Sequence, residues 1–207
     1  MHPPAGIIFD CDGVLFESRR ANLAYYNAIL AEFGEAPVEA TDHERAHLCH
    51  TAASPQVLGS LLGKDRASLA LDFAAGLDYR RFIPEMEPED GMSEALATLA
   101  VRYPLAVATN RGTSMSDILH HFNLAGHFRT VVTSRDVARP KPWPDMLLEA
   151  SRRLQFSPGE LLFIGDSELD QAAAEAAGMV FAAYRQPLPA EIRFESFGQI
   201  LEFLGEA

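Results

Sequence analysis

The sequence predicts an α/β fold: a parallel sheet with helices on both faces, into which an α-helical segment is inserted after the first strand. From residue 91 onward, apolar strand-like runs alternate with helical patterns, which is typical of a parallel sheet. Residues 17–86 show helical periodicity only. A chain of 207 residues with 48% hydrophobic content can bury a core and carry an insertion. We therefore expect a core domain from residues 1–16 and 87–207 and a helical cap domain from residues 17–86.

The individual elements follow from the spacing of apolar residues and from glycine and proline breakers. The first cap helix, for example, has apolar side chains at helical spacing and ends near Gly34. Helices are predicted at residues 19–33, 42–51, 55–62, 65–82, 93–102, 114–122, 143–154 and 171–177. Strands are predicted at residues 6–9, 105–108, 131–133, 161–164 and 180–184. In such a sheet, active residues are expected at the carboxyl ends of the strands.

The most informative motif directly follows the first strand. Asp10-Cys11-Asp12-Gly13-Val14 places two carboxylates at the end of a buried strand, where charge is unfavourable unless a cation, a proton or a ligand compensates it. The spacing fits a division of labour in which Asp10 is a nucleophile, Asp12 is a proton donor and magnesium is bound. By itself, the motif is also compatible with an ordinary Asp-Gly turn after a strand.

Three further segments favour the first interpretation. The run T-N-R-G at residues 109–112 ends a strand with a hydroxyl, an amide and backbone donors that suit a phosphate. The run R-P-K-P at residues 139–142 holds Lys141 between two prolines, which stiffen the backbone that carries this cation. The run G-D-S-E-L-D at residues 165–170 follows a third strand, and its two aspartates are spaced so that both can face one site.

In this order, the four motifs resemble the haloacid dehalogenase superfamily, and most closely its phosphoglycolate phosphatase and β-phosphoglucomutase-like members with a helical cap. The similarity extends from residue 6 to about residue 184. It implies a Rossmann-like core and a phosphatase that hydrolyses a small phosphate monoester. Asp10 would attack phosphorus to form an aspartyl-phosphate, and Asp12 would act as acid and then as base. Thr109 and Lys141 would bind the phosphoryl group, together with Asn110.

The resemblance also implies a magnesium cofactor. Asp10, the backbone carbonyl of Asp12 and Asp166 would be its ligands, and Asp170 would make a water-mediated metal contact or orient its neighbours. The chemistry is consistent with this requirement. A phosphate monoester is an anion that water attacks very slowly, so the site must position the reactants and neutralise charge. Magnesium would allow the anionic Asp10 to approach the anionic phosphorus.

Substrate specificity is expected to depend on residues other than the acids and the lysine of the four motifs. Arg111 is a candidate contact to the substrate. His43, His47 and His50 fall on one face of the predicted helix 42–51. His47 and His50 are therefore candidate substrate-binding residues, and a zinc site made by the three histidines is the alternative. Trp143 is predicted to pack against the loop that carries the lysine.

Composition restricts the partners. A net charge of −12 and a pI near 4.9 argue against broad binding to nucleic acid or acidic membranes. No apolar run approaches the roughly 18 residues that span a bilayer, and no signal peptide precedes the first strand, so we expect a cytoplasmic protein. Cys11 and Cys49 are expected to be reduced. The expected partner is a small phosphorylated metabolite, with the enzyme acting as a monomer or a homodimer.

Several alternatives use some of the same residues. A phosphomutase of the β-phosphoglucomutase type would use Asp10 and Asp12 but return the phosphoryl group to a sugar. A haloacid dehalogenase proper would not need Asp12 or Asp166. A phosphoacceptor receiver module also combines acids, a threonine and a lysine, but it has no long helical insertion after its first strand. A catalytically silent homologue that binds phosphate or a partner is the non-enzyme alternative.

Overall fold

The computed structural model describes residues 3–206, and a parallel sheet lies at its centre, as the sequence predicts. The strands are β1 (Gly6–Phe9), β2 (Phe16–Glu17), β3 (Glu87–Pro88), β4 (Leu105–Thr109), β5 (Phe128–Thr133), β6 (Leu161–Gly165), β7 (Val180–Tyr184) and β8 (Ile192–Phe194). Six of them pair in the order β5-β4-β1-β6-β7-β8, and all of these pairings are parallel. Starting from β1, the chain first adds β4 and β5 on one side and then β6, β7 and β8 on the other side. The direction in which strands are added therefore reverses next to β1.

Nine α-helices are present in the described residues. They are α1 (Arg19–Glu32), α2 (His43–Thr51), α3 (Ser54–Leu62), α4 (Lys64–Ala75), α5 (Met92–Arg102), α6 (Ser114–His121), α7 (Asp145–Leu154), α8 (Glu168–Ala177) and α9 (Phe197–Leu204). Within residues 3–206, no helix has both the length and the apolar character that a membrane crossing requires.

Alternating side chains of the central strand explain why both faces of the sheet are covered. Ile7 and Phe9 belong to an apolar cluster with residues of α5, α6 and α9, whereas Ile8 belongs to a second cluster with residues of α7 and α8. All three side chains are completely buried. A strand that is buried on both faces has no polar side to expose, which explains the continuous apolar run in the sequence.

The helical segment, residues 17–86, contains α1 to α4 and has an apolar cluster of its own. That cluster consists of buried residues between Tyr26 and Ala74. Other buried residues of the segment pack with the sheet cluster that contains Ile7 and Phe9, namely Ala21, Tyr79, Phe82, Ile83 and Met86. The chain enters the segment through β2 and leaves it through β3, and these two short strands pair antiparallel, Phe16 with Pro88 and Glu17 with Glu87. The entry and exit of the segment are therefore tied to each other.

The two largest differences from the sequence-based expectation lie at the end of α4 and at the carboxyl end of the chain. The helix predicted at residues 65–82 ends at Ala75, and two short 3₁₀ turns, Tyr79–Arg81 and Ile83–Glu85, follow it. Asp78 explains the break because its side chain accepts a hydrogen bond from the backbone of Arg80 and so starts a new turn.

The second difference is at the carboxyl end, where β8 and α9 were not predicted. Three residues make β8 too short for a periodicity signal. The start of α9 does carry a recognisable signal, since the Ser196 side chain accepts a hydrogen bond from the backbone nitrogen of Gln199.

Candidate active site

The polar motifs meet at the carboxyl edge of the three central strands. Asp10 follows β1, Asn110 follows β4 and Asp166 follows β6. Because these strands are parallel neighbours, their carboxyl ends lie at the same edge of the sheet. All three side chains are more than nine-tenths buried. The fold therefore brings together residues that are far apart in the sequence.

Lys141 reaches this edge from the loop after β5. Its Nζ lies 2.8 Å from Asp10 Oδ1 and donates hydrogen bonds to Asp170 Oδ1 at 2.5 Å and to the carbonyl oxygen of Ala108 at 3.1 Å. Burial disfavours the charged form of Lys141, but the two carboxylates outweigh burial and raise its pKa. The lysine is therefore a fixed buried cation between two acids.

Asn110 holds the lysine loop against the strand ends. The backbone nitrogen of Lys141 donates to Asn110 Oδ1 at 2.9 Å, and Asn110 Nδ2 donates to the carbonyl oxygens of Lys141 at 3.1 Å and Thr51 at 3.0 Å. Beside it, the buried Thr109 hydroxyl accepts a hydrogen bond from the backbone nitrogen of Arg111 at 3.1 Å. Both hydrogens of the Asn110 amide are thus used by backbone carbonyls, one of them in the helical segment.

Asp170 is completely buried and orients its neighbours. Its Oδ2 accepts hydrogen bonds from the backbone nitrogens of Asp166 and Ser167 and from the Ser167 hydroxyl, and its Oδ1 accepts from Lys141. These contacts shape the loop after β6 and fix the lysine. The structure therefore gives Asp170 the contacts of the orienting role, which was one of the two considered from the sequence.

Asp10, Asp166 and Asp170 form the one cluster within residues 3–206 whose side chains could hold a metal ion, with ligand atoms within 4.8 Å of one another. Asp10 Oδ1 has no polar partner in the protein other than the Lys141 ammonium, 2.8 Å away. Burial raises the pKa of Asp10 and of Asp166, and the neighbouring carboxylates raise both further. Oxygen ligands that share one lysine fit a hard divalent cation such as magnesium.

Gly13 allows the first motif to pass close to Asp166. Its φ is +76°, and a Cβ at this position would lie 2.0 Å from Asp166 Oδ2. Glycine is therefore required both by the left-handed backbone and by the space that the carboxylate occupies.

Asp12 faces away from the lysine and contacts Arg111. Arg111 Nη2 donates to Asp12 Oδ1 at 2.5 Å, and the Ser18 hydroxyl donates to the same oxygen. Burial alone would raise the pKa of Asp12, but the Arg111 guanidinium and these hydrogen bonds hold it below its usual value. Arg111 also donates to the Tyr79 hydroxyl at 2.6 Å and to Asn22 Oδ1 at 2.8 Å. It is thus buried between the sheet edge and the helical segment.

A cavity of about 310 Å³ lies between the strand ends and the helical segment. Asp12, Asn110 and Arg111 line it from the sheet, and Tyr25 and His50 are among the residues that line it from the helices. This volume suits a small organic molecule rather than a polymer.

The three histidines of α2 have different surroundings and do not form a common site. His50 is buried, its Nε2 lies 3.9 Å from Asp166 Oδ2, and that nitrogen has no hydrogen-bond partner. His47 is half exposed, and its Nε2 lies 2.8 Å from Glu168 Oε1. His43 is exposed. Within residues 3–206, the side chains that could together hold a metal ion are Asp10, Asp166 and Asp170, and the histidines are not among them.

Trp143 does not pack as predicted. Half of its surface is exposed, and the Arg139 guanidinium lies 4.7 Å from its ring centroid. The helix that was predicted to begin at this residue begins at Asp145, so Trp143 belongs to the preceding loop.

Three polar side chains that were not predicted from the sequence complete the site: Ser18, Asn22 and Tyr79. Asn22 could have been found, because it shares a helical face with Tyr26, Ile29 and Leu30, all of which are buried. A polar residue on an otherwise apolar face needs a buried partner. Its partners, however, could not be named from the sequence.

Known proteins of similar sequence indicate the family of the chain. The chain matches the family model of haloacid dehalogenase-like hydrolases over residues 7–184. It is 29% identical over 210 residues to a phosphoglycolate phosphatase of Rhodobacter capsulatus, with 94% of each chain covered. It is 28% identical over 201 residues to a phosphoglycolate phosphatase of Shigella boydii, with 84% of this chain and 78% of the relative covered.

Solved structures give the same result. A haloacid dehalogenase-superfamily hydrolase of subfamily IA from Geobacter sulfurreducens superposes with a TM-score of 0.85 at 39% identity, covering 97% of this chain and all of the other. The structure of a putative phosphoglycolate phosphatase from Lactobacillus plantarum has a TM-score of 0.86 at 22% identity and covers 97% of this chain and 99% of its own, which shows a shared fold. The chain therefore belongs to the haloacid dehalogenase-like hydrolase family and is an enzyme of that family.

Proposed function

We propose that this phosphatase is magnesium-dependent and hydrolyses a small phosphate monoester through an aspartyl-phosphate intermediate on Asp10. The observation that carries the proposal is the environment of Asp10. Its Oδ1 is buried, has no hydrogen-bond partner and lies 2.8 Å from the Lys141 ammonium, beside the carboxylate cluster. A carboxylate held in this way has a lone pair free for attack and a cation that can stabilise the charge of a bound phosphoryl group.

In the first step, Asp10 would attack phosphorus, and the bond from phosphorus to the ester oxygen would break. Asp12 would give a proton to the departing alcohol. In the second step, Asp12 would take a proton from water, and the resulting hydroxide would attack phosphorus, releasing inorganic phosphate and regenerating Asp10. Lys141 and the Thr109 hydroxyl, with Asn110 holding their loops, would bind the phosphoryl oxygens.

Magnesium would be held by Asp10, the backbone carbonyl of Asp12 and Asp166. When bound, it would neutralise charge so that two anions can approach each other. Asp170 is the least available acid of the cluster, because both of its oxygens already accept hydrogen bonds. Its role would be to keep Lys141 directed at Asp10.

The helical segment would act as a cap over this site. Its own apolar cluster, between Tyr26 and Ala74, and its paired entry and exit strands support a division into a core of residues 1–16 and 87–207 and a cap of residues 17–86. The two ends of the cap pack into the cluster of the core. The cavity would then hold the leaving group, with Arg111 and His50 as contacts to it. His47 would contribute less, since it is half exposed and already paired with Glu168.

Phosphoglycolate is the first ester to test, because two of the relatives described above bear that activity in their names. Its carboxylate is an anion that the buried Arg111 could bind. We further expect the enzyme to act in the cytoplasm on a soluble metabolite, as a monomer or a homodimer.

The decisive experiment is an assay of phosphate release from a panel of phosphorylated metabolites with magnesium, with chelator and with calcium. We expect one dominant ester, no activity in chelator, full recovery with magnesium, and inhibition by calcium, whose larger coordination shell disturbs in-line geometry. The Asp10→Asn protein controls for contaminating phosphatases. Full activity in chelator would contradict the metal requirement. Transfer of phosphate to a sugar phosphate rather than to water would identify a mutase instead.

A further inference from the structure

We propose that Asn22, in the first turn of α1, is a positioning residue that joins the acid Asp12 to the helical segment and sets the protonated nitrogen of His50. This inference rests on the proposed function for its catalytic consequence but not for its structural part. Asn22 is 6% exposed and belongs to none of the four motifs. Its side chain nevertheless contacts five polar side chains at this boundary: Asp12, Ser18, His50, Tyr79 and Arg111.

The orientation of the Asn22 amide is determined by Arg111. A guanidinium can only donate, so the atom that Arg111 Nη2 contacts at 2.8 Å must be the amide oxygen. The Tyr79 hydroxyl donates to the same oxygen at 3.3 Å. The amide nitrogen must then face the opposite way. If the amide were flipped, its N–H groups would face the donors of Arg111 and Tyr79, and no hydrogen bond could form.

The Asn22 amide nitrogen, which can only donate, has three acceptors within reach, of which the Ser18 hydroxyl at 3.5 Å is the most distant. Nδ2 lies 3.1 Å from Asp12 Oδ1 and 3.3 Å from His50 Nδ1. Since this nitrogen donates, His50 Nδ1 must accept, and a neutral imidazole that accepts at Nδ1 carries its proton on Nε2. Arg111 thus determines the orientation of Asn22, and Asn22 determines the tautomer of His50.

The consequence is a donor aimed at the reaction centre. His50 Nε2 is buried, has no hydrogen-bond partner, and lies 3.9 Å from Asp166 Oδ2, beyond hydrogen-bond distance. An unpaired buried N–H is unfavourable unless a ligand accepts from it. This N–H would donate to an oxygen of the substrate. Asn22, which contacts both side chains, would fix the position of His50 relative to Asp12.

Nuclear magnetic resonance of the full chain labelled with ¹⁵N-histidine tests the structural part without substrate. The His50→Ala protein assigns the resonances. In the native protein we expect the His50 proton on Nε2. In Asn22→Asp, which has the same shape, an oxygen replaces the amide nitrogen and accepts from the ring, so the proton should move to Nδ1. A native protein with the His50 proton on Nδ1, or on both nitrogens, would overturn the proposal, as would an Asn22→Asp protein with an unchanged tautomer.

Kinetics test the catalytic part. In Asn22→Asp a carboxylate faces Asp12, so kcat for an alkyl phosphate should fall about 100-fold, the loss that a misplaced catalytic group can cause. For an aryl phosphate, whose leaving group needs little protonation, we expect a loss of tenfold or less. Equal losses on the two esters in a folded variant would contradict a role in positioning the acid.

Asn27→Ala is the matched control on the same helix. The Asn27 side chain bonds only to the backbone of Val38, with distances of 3.0 and 2.7 Å, and does not contact Asp12 or His50. This variant should have a lower melting temperature but an unchanged ratio of alkyl to aryl activity and an unchanged His50 tautomer. The same changes in Asn27→Ala as in Asn22→Asp would reduce Asn22 to a structural residue and overturn the proposal. If the native enzyme hydrolyses none of the esters, the proposed function fails, while the tautomer measurement still decides the role of Asn22.

Discussion

Asp10 and Asp12 are separated by one residue, yet their electrostatic environments are opposite. Asp10 faces the sheet edge, where Asp170 shares Lys141 with it and Asp166 lies close by, and its pKa is raised by burial and by these carboxylates. Asp12 faces the helical segment, where Arg111 and Ser18 bond to one of its oxygens, and its pKa is lowered. The direction of each pKa shift therefore follows the side of the loop to which the acid points, and Asp12 adds to the rise in the pKa of Asp10.

A proton donor needs a raised pKa and an attacking carboxylate a lowered one, so the proposed roles require ligand binding to shift both values from those of the free protein. What separates the two sides is their charge balance. The Asp10 side has an excess of negative charge and accommodates a metal ion and a phosphoryl group. The Asp12 side is balanced by Arg111 within the protein and opens onto the cavity that would hold the leaving group. Substitutions that affect only one side should therefore have different kinetic signatures, and four of them test the comparison.

The largest effect is expected for Asp10→Asn. An amide cannot attack phosphorus, so turnover should fall by about 10⁴-fold or more for every ester, while circular dichroism and the melting temperature show a folded protein. The measurement is phosphate release under single-turnover and steady-state conditions. Substantial hydrolysis by this variant, after a second purification, would mean that Asp10 is not the nucleophile.

Asp12→Asn should reduce activity by about 10²- to 10⁴-fold, the contribution of a general acid, but only for esters with a poor leaving group. With an aryl phosphate the first step needs less help, so the loss should be smaller. A series of aryl and alkyl phosphates measures this dependence. If the substitution lowers the rate of hydrolysis by the same factor for all esters, Asp12 does not protonate the leaving group as proposed.

Gly13→Ala tests the close packing between the two sides. The new methyl group would displace the Asp166 carboxylate, so we expect activity to fall about 100-fold and the magnesium concentration at half-maximal activity to rise. Gly34→Ala is the matched control, because its φ is +70° and its Cβ would meet no atom within 4 Å. It should cost about 1 to 2 kcal/mol of stability and no activity. Equal activity losses would indicate backbone strain as the cause.

The smallest effect separates two histidines on one helix. His50→Ala should lower kcat/KM for the best natural ester by about 10- to 100-fold, equivalent to one or two lost hydrogen bonds, and should change aryl phosphate hydrolysis little. His47→Ala removes an exposed pair with Glu168, worth at most about 1 kcal/mol, so its effect should stay within about fivefold. A larger loss for His47 than for His50 would contradict the arrangement described here.

The sequence by itself determined the parallel sheet and the residues at its active edge. Each of the runs around Asp10, Thr109 and Asp166 places polar residues at or just after the end of an apolar strand, and parallel neighbouring strands bring such ends together. This signal is local, since it needs only the strand and the residues that follow it. For the same reason the short strand β8 was not predicted, because three residues that depend on β7 for pairing carry no periodicity.

Only the tertiary structure decided which charged group each acid received. Arg111 lies 99 residues from Asp12, Lys141 lies 29 residues from Asp170, and His47 lies 121 residues from Glu168. Helical spacing placed His47 and His50 on one face, but it could not say that one would pair at the surface and the other would be buried beside the acids. Such pairings depend on how the helices pack against the strand ends, and the spacing of apolar residues within one element does not contain that information.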